Sequence, residues 1–575
     1  MRLPKAKLSP WNLAFLIGLG LFLAVFLVYP VAFMLRRGFG LEGEFTLKYF
    51  WMLTSNAVLR ASLFNSIALA SVTVLGCSLV VFPFAIALQR LAFAGRSVLT
   101  SLLLVPMIMP PFVGAIGLKQ LLARYGSVNL FFIHLGWMNP KHPVDWLAAG
   151  GFWGVVILQV LSLYPILLLS VSAALANIDP ALREAAQNLG AKGWGLFRTI
   201  TLPLVLPGWF AGAIIVWIWS FTDLGTPLIT GFSRVTAVQI FDAINDLNTN
   251  PQGFSLIVVV LAVSVGLFFV SQRLIGRRSY ATLARGHSHA ADKPATPWQT
   301  AMIWSGASFL LLLALLPHLS VILSSFAGRW FFTVLPDSWT LENYQEVFEQ
   351  KATFSSIGNS FFYASVSAGI DFILGVGLGW MITRSKLKFA PILDALAMLP
   401  LALPGLVLAF GYFAGFEINA QRHAFLKGMI DPRVNPTFLL IVSYSIRRLP
   451  YMVRAACAGF QQTSELLEEA SASFGATPWD TLRRITLPLI SANLIGGFIL
   501  TFAFAMLEVS DSLILAQKEN YFPITKQMWQ LLGRIDPHAP SVACALGVIA
   551  MLLLMGSLVV AGRLMGRKMG QIFRA

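Results

Sequence analysis

The chain has 575 residues, of which 57% are hydrophobic and 11% are charged, and its formal net charge is +16. A soluble globular protein carries about 25% charged residues, so this composition excludes a soluble protein and indicates an integral membrane protein. In such a protein the lysines and arginines concentrate in cytoplasmic loops and contact anionic lipid headgroups of the bilayer. The positive charge therefore needs no nucleic-acid partner, and we predict none.

Apolar runs of about 20 residues, long enough to cross the hydrocarbon core as helices, recur along the chain. The first run follows Arg2, Lys5 and Lys7 as a signal peptide would, but it is too long and lacks a small-residue cleavage site, so we interpret it as a helix. A cytoplasmic N-terminus places most lysines and arginines on the cytoplasmic side, which predicts that both termini are cytoplasmic. The twelve predicted spans are Leu13–Met34, Leu63–Leu88, Val98–Leu118, Gly151–Ala174, Leu204–Leu224, Phe254–Val270, Ala301–Ser325, Ser360–Ile382, Ala390–Phe413, Thr437–Ala456, Ile490–Val509 and Ser541–Ala561.

The second half of the chain repeats the first. The segment NSIALASV at Asn65 matches NSFFYASV at Asn359. Each copy contains six spans, an even number, so both copies enter the membrane from the same side and form a parallel repeat. We therefore predict an all-α integral membrane protein with a pseudo-two-fold axis along the membrane normal. Its predicted parts are a first domain at 1–275, a polar cytoplasmic linker at 276–297 and a second domain at 298–575.

One polar stretch is written twice between predicted spans. EAAQNLGAKGWGLFRTITLPL occupies Glu184–Leu204, and EASASFGATPWDTLRRITLPL occupies Glu469–Leu489, 285 residues later and in one register without a gap. Both stretches lie between the fourth and fifth spans of their copy, on the predicted cytoplasmic side. One such segment alone could lie on lipid headgroups or pack on its own bundle. Two matched copies in one topological position favour a paired docking surface.

Each stretch predicts two short helices joined at a glycine. Asp179 and Ser464 are N-cap residues that start the first helix. Gly190 and Gly475 end it, because glycine accepts the left-handed backbone conformation. The first helix carries an apolar stripe at the spacing i, i+3, i+4 and i+7. The stripe residues are Leu182, Ala185, Ala186 and Leu189 in the first copy and Leu467, Ala470, Ser471 and Phe474 in the second.

These stretches resemble the EAA loop of the membrane subunits of binding-protein-dependent ABC importers, whose pattern is Glu-Ala-Ala, three residues, Gly, nine residues and Ile-x-Leu-Pro. Ser471 in the second copy replaces the second alanine of that pattern. The resemblance covers essentially the full chain as two fused permease domains, with loops at 179–203 and 464–488. It assigns coupling to an ATPase to Glu184, Ala185, Ala186, Gly190, Ile200, Leu202 and Pro203 and to Glu469, Ala470, Gly475, Ile485, Leu487 and Pro488.

The resemblance implies a translocation subunit of the inner membrane that works with cytoplasmic ABC ATPase subunits, in two copies, and with a periplasmic solute-binding protein. No G-x-x-x-x-G-K-[ST] phosphate loop occurs in the sequence, so we predict that the chain is not an enzyme and holds no cofactor. ATP and Mg would be bound by the partner ATPase. The fused arrangement is most similar to importers of ferric iron, thiamine and phosphonate or phosphorylated compounds, and RRLPYMVRAACAGFQQ at Arg447–Gln462 is similar to the iron type.

Acidic residues at the ends of two spans are candidates for the transport pathway, because an isolated charge at mid-bilayer costs about 2.5–3.5 kcal/mol. Asp223 and Glu508 occupy equivalent positions near the external ends of their helices, and Asp511 lies one turn beyond Glu508. These side chains could line an outward vestibule, or they could be hydrated carboxylates at the membrane interface.

Two arginines lie deep in the tenth span. Arg447 and Arg448 could pair with Asp371 or Asp394, or they could face an anionic substrate. Carboxylates at the outer mouth favour a cation such as ferric iron, which is our leading interpretation. The arginines favour a phosphonate or a phosphorylated compound instead.

Other function classes fit the sequence less well. The three cysteines, Cys77, Cys457 and Cys544, lie in or near apolar spans and the seven histidines are scattered, so we predict no metal site. A membrane enzyme is disfavoured because no residue cluster has catalytic spacing. An ion-coupled secondary transporter can also have six plus six spans, but it has no use for a paired ATPase-docking loop.

Overall fold

The computed structural model describes residues 10–40, 45–107, 109–147, 151–246, 252–276, 293–385, 387–422 and 427–565. Nearly all regular structure in these ranges is helical. The strands found there are pieces of two or three residues, namely β1 (Leu91–Ala92), β2 (Lys293–Pro294), β3 (Ala327–Arg329) and β4 (Ser338–Trp339). β1 pairs with β2 in parallel, and β3 pairs with β4 antiparallel.

The described helices of the first half alternate long apolar segments with short connecting ones. Two π-helical segments, at Ala24–Val28 and Phe197–Thr201, and two 3₁₀ turns, at Val105–Met107 and Ala243–Asp246, interrupt them. The α-helices are α1 (Pro10–Leu23), α2 (Tyr29–Gly38), α3 (Lys48–Ser55), α4 (Ala57–Arg90), α5 (Arg96–Leu104), α6 (Pro111–Leu122), α7 (Ser127–His134), α8 (Phe152–Ala176), α9 (Pro180–Asn188), α10 (Gly193–Leu196), α11 (Leu202–Phe221), α12 (Gly225–Thr230), α13 (Thr236–Asp242) and α14 (Gln252–Gly276).

The second half follows the same order of long and short helices. Its π-helical segment is Leu482–Thr486, and its 3₁₀ turn is Glu519–Tyr521. The α-helices are α15 (Pro297–Ser325), α16 (Glu342–Glu349), α17 (Lys351–Thr383), α18 (Ala390–Ala402), α19 (Gly405–Arg422), α20 (Lys427–Ile430), α21 (Thr437–Gln462), α22 (Glu465–Ser473), α23 (Pro478–Thr481), α24 (Leu487–Met506), α25 (Ser510–Leu515), α26 (Ile524–Leu532) and α27 (Ala539–Met565).

Most of the predicted spans are helices long and apolar enough to cross a bilayer. Within the described residues nine helices meet that condition, and eleven do if two bent helix pairs each count as one span. The tenth predicted span is also helical, as α21, but it carries three arginines that lower its mean hydropathy. The all-α membrane architecture predicted from the sequence is therefore confirmed.

The third and ninth predicted spans are bent rather than straight. Arg96–Met107 meets Pro111–His134 at 84°, and Ala390–Leu401 meets Gly405–Glu417 at 90°. Proline explains both breaks, because it removes a helical N–H donor and disfavours helical backbone in the residue before it. Pro110 lies in the first break, directly before Pro111, and Pro404 lies at the equivalent place in the second break, directly before Gly405.

The described chain groups into two compact units, and each unit draws on both halves of the sequence. The C-terminal unit comprises the described parts of Met1–Trp51, Ala243–Leu261 and Tyr344–Ala575. The N-terminal unit comprises the described parts of Met52–Asp242 and Ala262–Asn343. The first long helix of each half thus belongs to the unit that the other half mainly forms.

Direct contacts hold these exchanged helices. In the C-terminal unit, Tyr29 on α2 donates its hydroxyl to the Gly415 carbonyl at 3.2 Å. In the N-terminal unit, His318 Nε2 on α15 lies 3.3 Å from the Pro110 carbonyl oxygen. The division at 1–275 and 298–575 describes the sequence repeat, and as a division into domains it stays a prediction.

Close helix approach through small residues builds the core of the C-terminal unit. A Cβ added to Gly379 on α17 would lie 2.7 Å from Ala456 Cβ on α21, and one on Gly497 would lie 2.6 Å from Ala455 Cβ. Glycine at such points lets helix backbones approach closely, which is how helices pack in lipid, where no hydrophobic effect drives them together. Residues Arg447 and Arg448 are therefore carried by a helix that is packed on two sides.

Candidate functional site

The first helix of each predicted loop forms where the caps place it. Asp179 Oδ1 accepts the Ala181 N–H at 2.9 Å at the start of α9. Ser464 Oγ accepts the Leu466 N–H at 3.3 Å at the start of α22. These side chains satisfy backbone donors that have no partner within the helix.

A glycine ends each of these helices in the left-handed conformation. Gly190 has φ of +90° and Gly475 has φ of +86°. The residue after each glycine donates its N–H back into the helix, from Ala191 to the Ala186 carbonyl at 2.9 Å and from Ala476 to the Ser471 carbonyl at 3.2 Å. This is the six-residue hydrogen bond of a Schellman cap, and it directs the chain sharply into the second short helix.

The predicted apolar stripe is divided between two directions. Ala186 and Ser471 are only 7% and 8% exposed and face their own loops. Leu189 and Phe474 are 89% and 92% exposed. The stripe predicted from the spacing is therefore wider than the face that packs inward, because one member of each stripe is buried and the rest form an outward apolar surface. Glu184 and Glu469 are exposed beside that surface.

The residue that packs inward has a different partner in each loop, and in each loop the two partners are of the same chemical type. Ser471 Oγ lies 2.9 Å from Thr481 Oγ1, so the two hydroxyls form a hydrogen bond. The equivalent positions in the first loop hold Ala186 and Leu196, both buried and apolar. The departure of Ser471 from the EAA pattern is thus accompanied by a second polar substitution that pairs with it.

The remaining loop residues lead into the fifth span of each copy. After a four-residue helix, each loop continues as a five-residue π-helical segment, which contains Ile200 in the first loop and Ile485 in the second. The fifth-span helix then begins with a Leu-Pro pair, which is Leu202 and Pro203 in α11 and Leu487 and Pro488 in α24. Proline fits the first turn of a helix because the N–H it lacks would have no partner there.

Asp223 belongs to a buried polar cluster in the N-terminal unit. Gln159 on α8 donates its Nε2 to Asp223 Oδ2 at 3.0 Å, and its Oε1 accepts the hydroxyls of Thr73 at 3.1 Å and Ser220 at 2.6 Å. Sequence reasoning missed Gln159, although one amide in the apolar run VVILQVLSL was a signal. A buried amide needs partners, because an unpaired polar group inside a protein costs about 1–3 kcal/mol.

The Asp223 carboxylate also caps the short helix that follows it. Its Oδ1 accepts the N–H of Gly225 at 3.1 Å and of Thr226 at 3.4 Å, at the start of α12. Glu508 does the same in the second copy, where its Oε1 accepts the Asp511 N–H at 3.4 Å at the start of α25. The two acids therefore cap equivalent short helices in the two copies.

The C-terminal unit holds a charged cluster at that place. Glu508 is paired with Arg447 through one carboxylate oxygen and with Arg448 through the other. Arg447 Nη1 also lies 3.3 Å from Asp511 Oδ2. Two arginines and two acids thus form a quartet with no net charge, and both acids are buried. Pairing of this kind is what allows charges to remain away from water.

The ion-pair partners of the two arginines differ from those that the sequence suggested. Asp394 is paired with Arg454 at 3.3 Å. Asp371 accepts the Ser445 hydroxyl at 2.6 Å through Oδ1, while its buried Oδ2 has no hydrogen-bond partner among the described residues. The reason is geometric, because residues that are distant in sequence are brought together only when α21 packs against the end of α24.

The described part of the chain holds no group of three or more His, Cys, Asp or Glu side chains that could bind a metal ion. A lysine that the sequence analysis did not consider lies near the charged cluster. Lys526 on α26 is buried and donates its Nζ to the Leu513 carbonyl at 2.9 Å. The next residue back, Thr525, donates its hydroxyl to the Glu508 carbonyl at 2.8 Å.

Comparison with known proteins matches both halves of the chain to one family of transport proteins. Residues 80–279 and 373–570 each match the family model described as "Binding-protein-dependent transport system inner membrane component". The chain is 30% identical over 454 residues to the "Putative ferric transport system permease protein FbpB 1" of Haemophilus influenzae, covering 78% of this chain and 68% of that protein.

Two further relatives differ in how much of the chain they cover. The "Ferric transport system permease protein FbpB" of Actinobacillus pleuropneumoniae is 29% identical over 492 residues, covering 84% of this chain and 67% of that protein. The "Molybdenum transport system permease protein ModB" of Escherichia coli is 30% identical over 193 residues, covering 33% of this chain and 79% of that protein.

Proposed function

Because the chain belongs to the family of binding-protein-dependent transport system inner membrane components, we propose that it is the translocating subunit of an ATP-driven importer of ferric iron. The observation that carries the choice of iron is the similarity over most of the chain to two relatives named as ferric transport permeases. The relative named for molybdenum covers one third of the chain. Iron is therefore the solute that the whole fused chain supports best.

The charged cluster supports a cation over an anion. Arg447 and Arg448 would favour a phosphonate or a phosphorylated compound only if they had no acidic partners within the protein. With both guanidinium groups paired to Glu508, an incoming anion would have to compete with a carboxylate that is already in place. The conflict between the acidic and basic signals is therefore reduced in favour of ferric iron.

Coupling to ATP hydrolysis is proposed to pass through the two loops. Leu189 and Phe474 offer exposed apolar side chains, and Glu184 and Glu469 offer exposed carboxylates beside them. A cytoplasmic ABC ATPase subunit would dock on each loop and would bind the ATP and Mg. A periplasmic binding protein would deliver the iron. This chain contributes no catalytic group and acts by changing conformation when the loops move.

Asp223, Glu508 and Asp511 are proposed to lie beside the pathway, with Arg447 and Arg448 holding the second-copy acids in place. Iron in its ferric state prefers hard oxygen ligands, which carboxylates supply. The acids are tied up by caps and ion pairs in this conformation, so an iron ion would reach them only when the bundle rearranges.

Reconstitution tests the proposal. The chain, its ATPase and its binding protein are placed in proteoliposomes, and uptake of radioactive ferric iron is compared with uptake of molybdate, a phosphonate and thiamine. We expect iron uptake that requires both ATP and the binding protein. Uptake driven by a sodium or proton gradient without any ATPase would contradict the importer class, and ATP-driven uptake of another solute alone would contradict the assignment of iron.

A further inference from the structure

One arginine joins three helices, α17, α21 and α22, at the base of the second coupling loop. Arg384, at the end of α17, has a side chain that is 8% exposed and lies 3.3 Å from Glu468 Oε1 and 3.4 Å from Glu465 Oε1 on α22. It also donates to the Phe460 carbonyl at 2.8 Å and the Thr463 carbonyl at 2.6 Å at the end of α21. The planar guanidinium suits this arrangement, since its donors point in fixed directions.

The same joint exists in the first copy with different partners. Arg90, at the end of α4 and equivalent to Arg384, donates to Thr201 Oγ1 at 2.7 Å. Thr486, the equivalent of Thr201, donates to Glu468 Oε1 at 3.3 Å. In the second copy the C-terminal end of the second long helix is therefore fastened to the first short helix of the loop. In the first copy it is fastened to Thr201, the last residue of the π-helical segment that ends the loop.

The opposite end of the same helix is fastened as well. Asn359 Nδ2 on α17 donates to the Asn520 carbonyl at 2.9 Å, and Ser360 Oγ accepts the Ile524 N–H at 2.7 Å. These partners belong to the segment that follows the charged cluster.

The first copy repeats this fastening. Asn65 Nδ2 on α4 donates to the Arg234 carbonyl at 2.9 Å, and Ser66 Oγ accepts the Thr236 N–H at 2.9 Å. Each helix thus holds the segment between the fifth and sixth spans of its own copy.

The middle of the second helix contacts the polar cluster in the first copy, and in the second copy it contacts the helix that carries the two arginines of the cluster. Thr73 on α4 donates to Gln159, which in turn holds Asp223. Asp371 on α17 accepts from Ser445, which stands two residues before Arg447 on α21. One helix per unit therefore contacts the coupling loop, the polar cluster or the helix that carries it, and the segment beyond that cluster.

The direct chain connection from loop to cluster is softer than this helix. Between the short helices of each loop and its fifth span lies a π-helical segment, at Phe197–Thr201 and Leu482–Thr486, followed at once by a helix whose second residue is proline. π-helical insertions and prolines are the sites where helices bend, because regular backbone hydrogen bonds are missing there. A push on the loop can be absorbed at this point before it reaches Asp223 or Glu508.

We propose that Arg384 and Arg90 are positioning residues that transmit movement of the coupling loops to α17 and α4, and that these second helices carry it to the polar clusters. The inference rests on the proposed ATP-driven function and adds the route that movement takes. It predicts that loss of these arginines uncouples ATP hydrolysis from transport while leaving the ATPase bound.

The first test measures coupling. Arg384→Met, Arg90→Met and the double variant are reconstituted with the ATPase and binding protein, and ATP hydrolysed per iron transported is measured. We expect this ratio to rise by about tenfold in the double variant, within the range of typical allosteric couplings, while co-purification of the ATPase stays unchanged. Arg384→Lys keeps the charge but not the fixed fork, so it should give an intermediate ratio.

A matched control is Arg454→Met. Arg454 is on α21 of the same unit and pairs with Asp394, but its side chain is 57% exposed. Its loss should leave the ratio within about twofold of wild type, as expected for an exposed ion pair. If the double variant also stays within about twofold, or if it loses the ATPase in proportion to transport, the transmission role is overturned.

A second measurement does not depend on transport at all. Spin labels at Ala472, exposed on α22 of the coupling loop, and at Ile373, exposed on α17, report the distance between the two elements in the intact complex, and the three native cysteines are buried. We expect a narrow distance distribution that broadens in Arg384→Met. An unchanged distribution would overturn the tie, whereas absence of ATP-driven uptake in the wild type would instead contradict the proposed function.

Discussion

The Arg447 guanidinium packs directly against Gly405, and the absence of a side chain at Gly405 leaves the space that the guanidinium occupies. A Cβ added to Gly405, at the start of α19, would collide with the Arg447 guanidinium. That guanidinium is also held by Glu508 and Asp511. At the scale of single residues, the charged quartet therefore depends on an uncharged glycine that no charge-based reading of the sequence selects.

Gly405→Ala should displace Arg447 from its acids. A buried acid that loses its partner strongly destabilises the fold. We therefore expect full opening of the pair to lower the free energy of unfolding by about 3–5 kcal/mol. Thermal unfolding in detergent measures the effect. Gly369→Ala on α17 is the control, since nothing lies within 4 Å of its Cβ. A variant Gly405→Ala as stable as that control would contradict the contact.

Lys526 should make stability depend on pH. Burial lowers the pKa of Lys526 from its ordinary value of 10.5 to about 8. The unfolded chain therefore binds more protons between these values, so stability rises as the pH rises from about 8 towards 10.5, and the cost of burying the charge is complete below pH 8.

Lys526→Met removes that cost. We expect it to raise the unfolding temperature at pH 7. The corresponding gain in the free energy of unfolding is at most about 3 kcal/mol, and this gain should shrink above pH 8. The lost hydrogen bond to Leu513 offsets part of the gain. The equivalent residue in the first copy is Val238, so an apolar side chain is accommodated there. A gain that is the same at pH 7 and pH 10 would refute the assignment of the effect to titration.

At the scale of single elements, the two coupling loops solve one packing problem in two ways. The first loop buries Ala186 and Leu196, and the second pairs the hydroxyls of Ser471 and Thr481. Both solutions leave no buried polar group unpaired at this contact, and the cap and the glycine turn around it are unchanged. The loop is thus a unit whose inner residues can be exchanged only together.

Ser471→Ala and Thr481→Leu should each destabilise the second loop by about 1 kcal/mol. Each variant removes one hydroxyl of the pair and leaves the other hydroxyl buried without its hydrogen-bond partner. The double variant Ser471→Ala/Thr481→Leu should recover most of the loss, since it copies the first loop. A double-mutant cycle on thermal unfolding of the complex measures the coupling. Simple additivity of the two single effects would show that the hydroxyls do not act as a pair.

At the scale of the whole molecule, the repeat predicts that two loops share the docking of two ATPase subunits. Glu184→Ala and Glu469→Ala should each weaken co-purification of the ATPase, and the double variant should be the weakest. Loss of one partner of a desolvated charge pair costs about 2–5 kcal/mol. Asn188→Ala, an exposed polar change on α9, serves as the control. Normal co-purification of the double variant would count against docking through these carboxylates.

Neutralising the equivalent acids tests the pathway. Asp223→Asn with Glu508→Gln should reduce iron uptake strongly and leave assembly with the ATPase intact. Asp223→Asn alone is the cleaner variant, because Glu508→Gln also leaves two arginines short of a counter-ion. Uptake within about twofold of wild type for Asp223→Asn would contradict a pathway role. Faster uptake would contradict iron as the solute.

Much of the local structure could be predicted from sequence because short-range rules decide it. The caps at Asp179 and Ser464 and the glycine turns at Gly190 and Gly475 depend on residues within about six positions of each other. The stripe prediction was less accurate, because helical spacing identifies a face but not which member, such as Ala186, turns inward. Gln159 was missed because an uncharged amide adds little to a count of charges.

By itself the sequence determined the membrane class, the duplication, the family and the position of the two matched short-helix loops, since each of these is a property of composition or of residue order. Only the tertiary structure decided which partners the charges take. Arg447 and Arg448 meet Glu508 rather than Asp371 or Asp394 because α21 packs against the end of α24. The tertiary structure likewise decided that the first long helix of each half belongs to the unit that the other half mainly forms. Helix packing in lipid depends on the fit of small residues across helices distant in sequence, and no pattern within one helix contains that information.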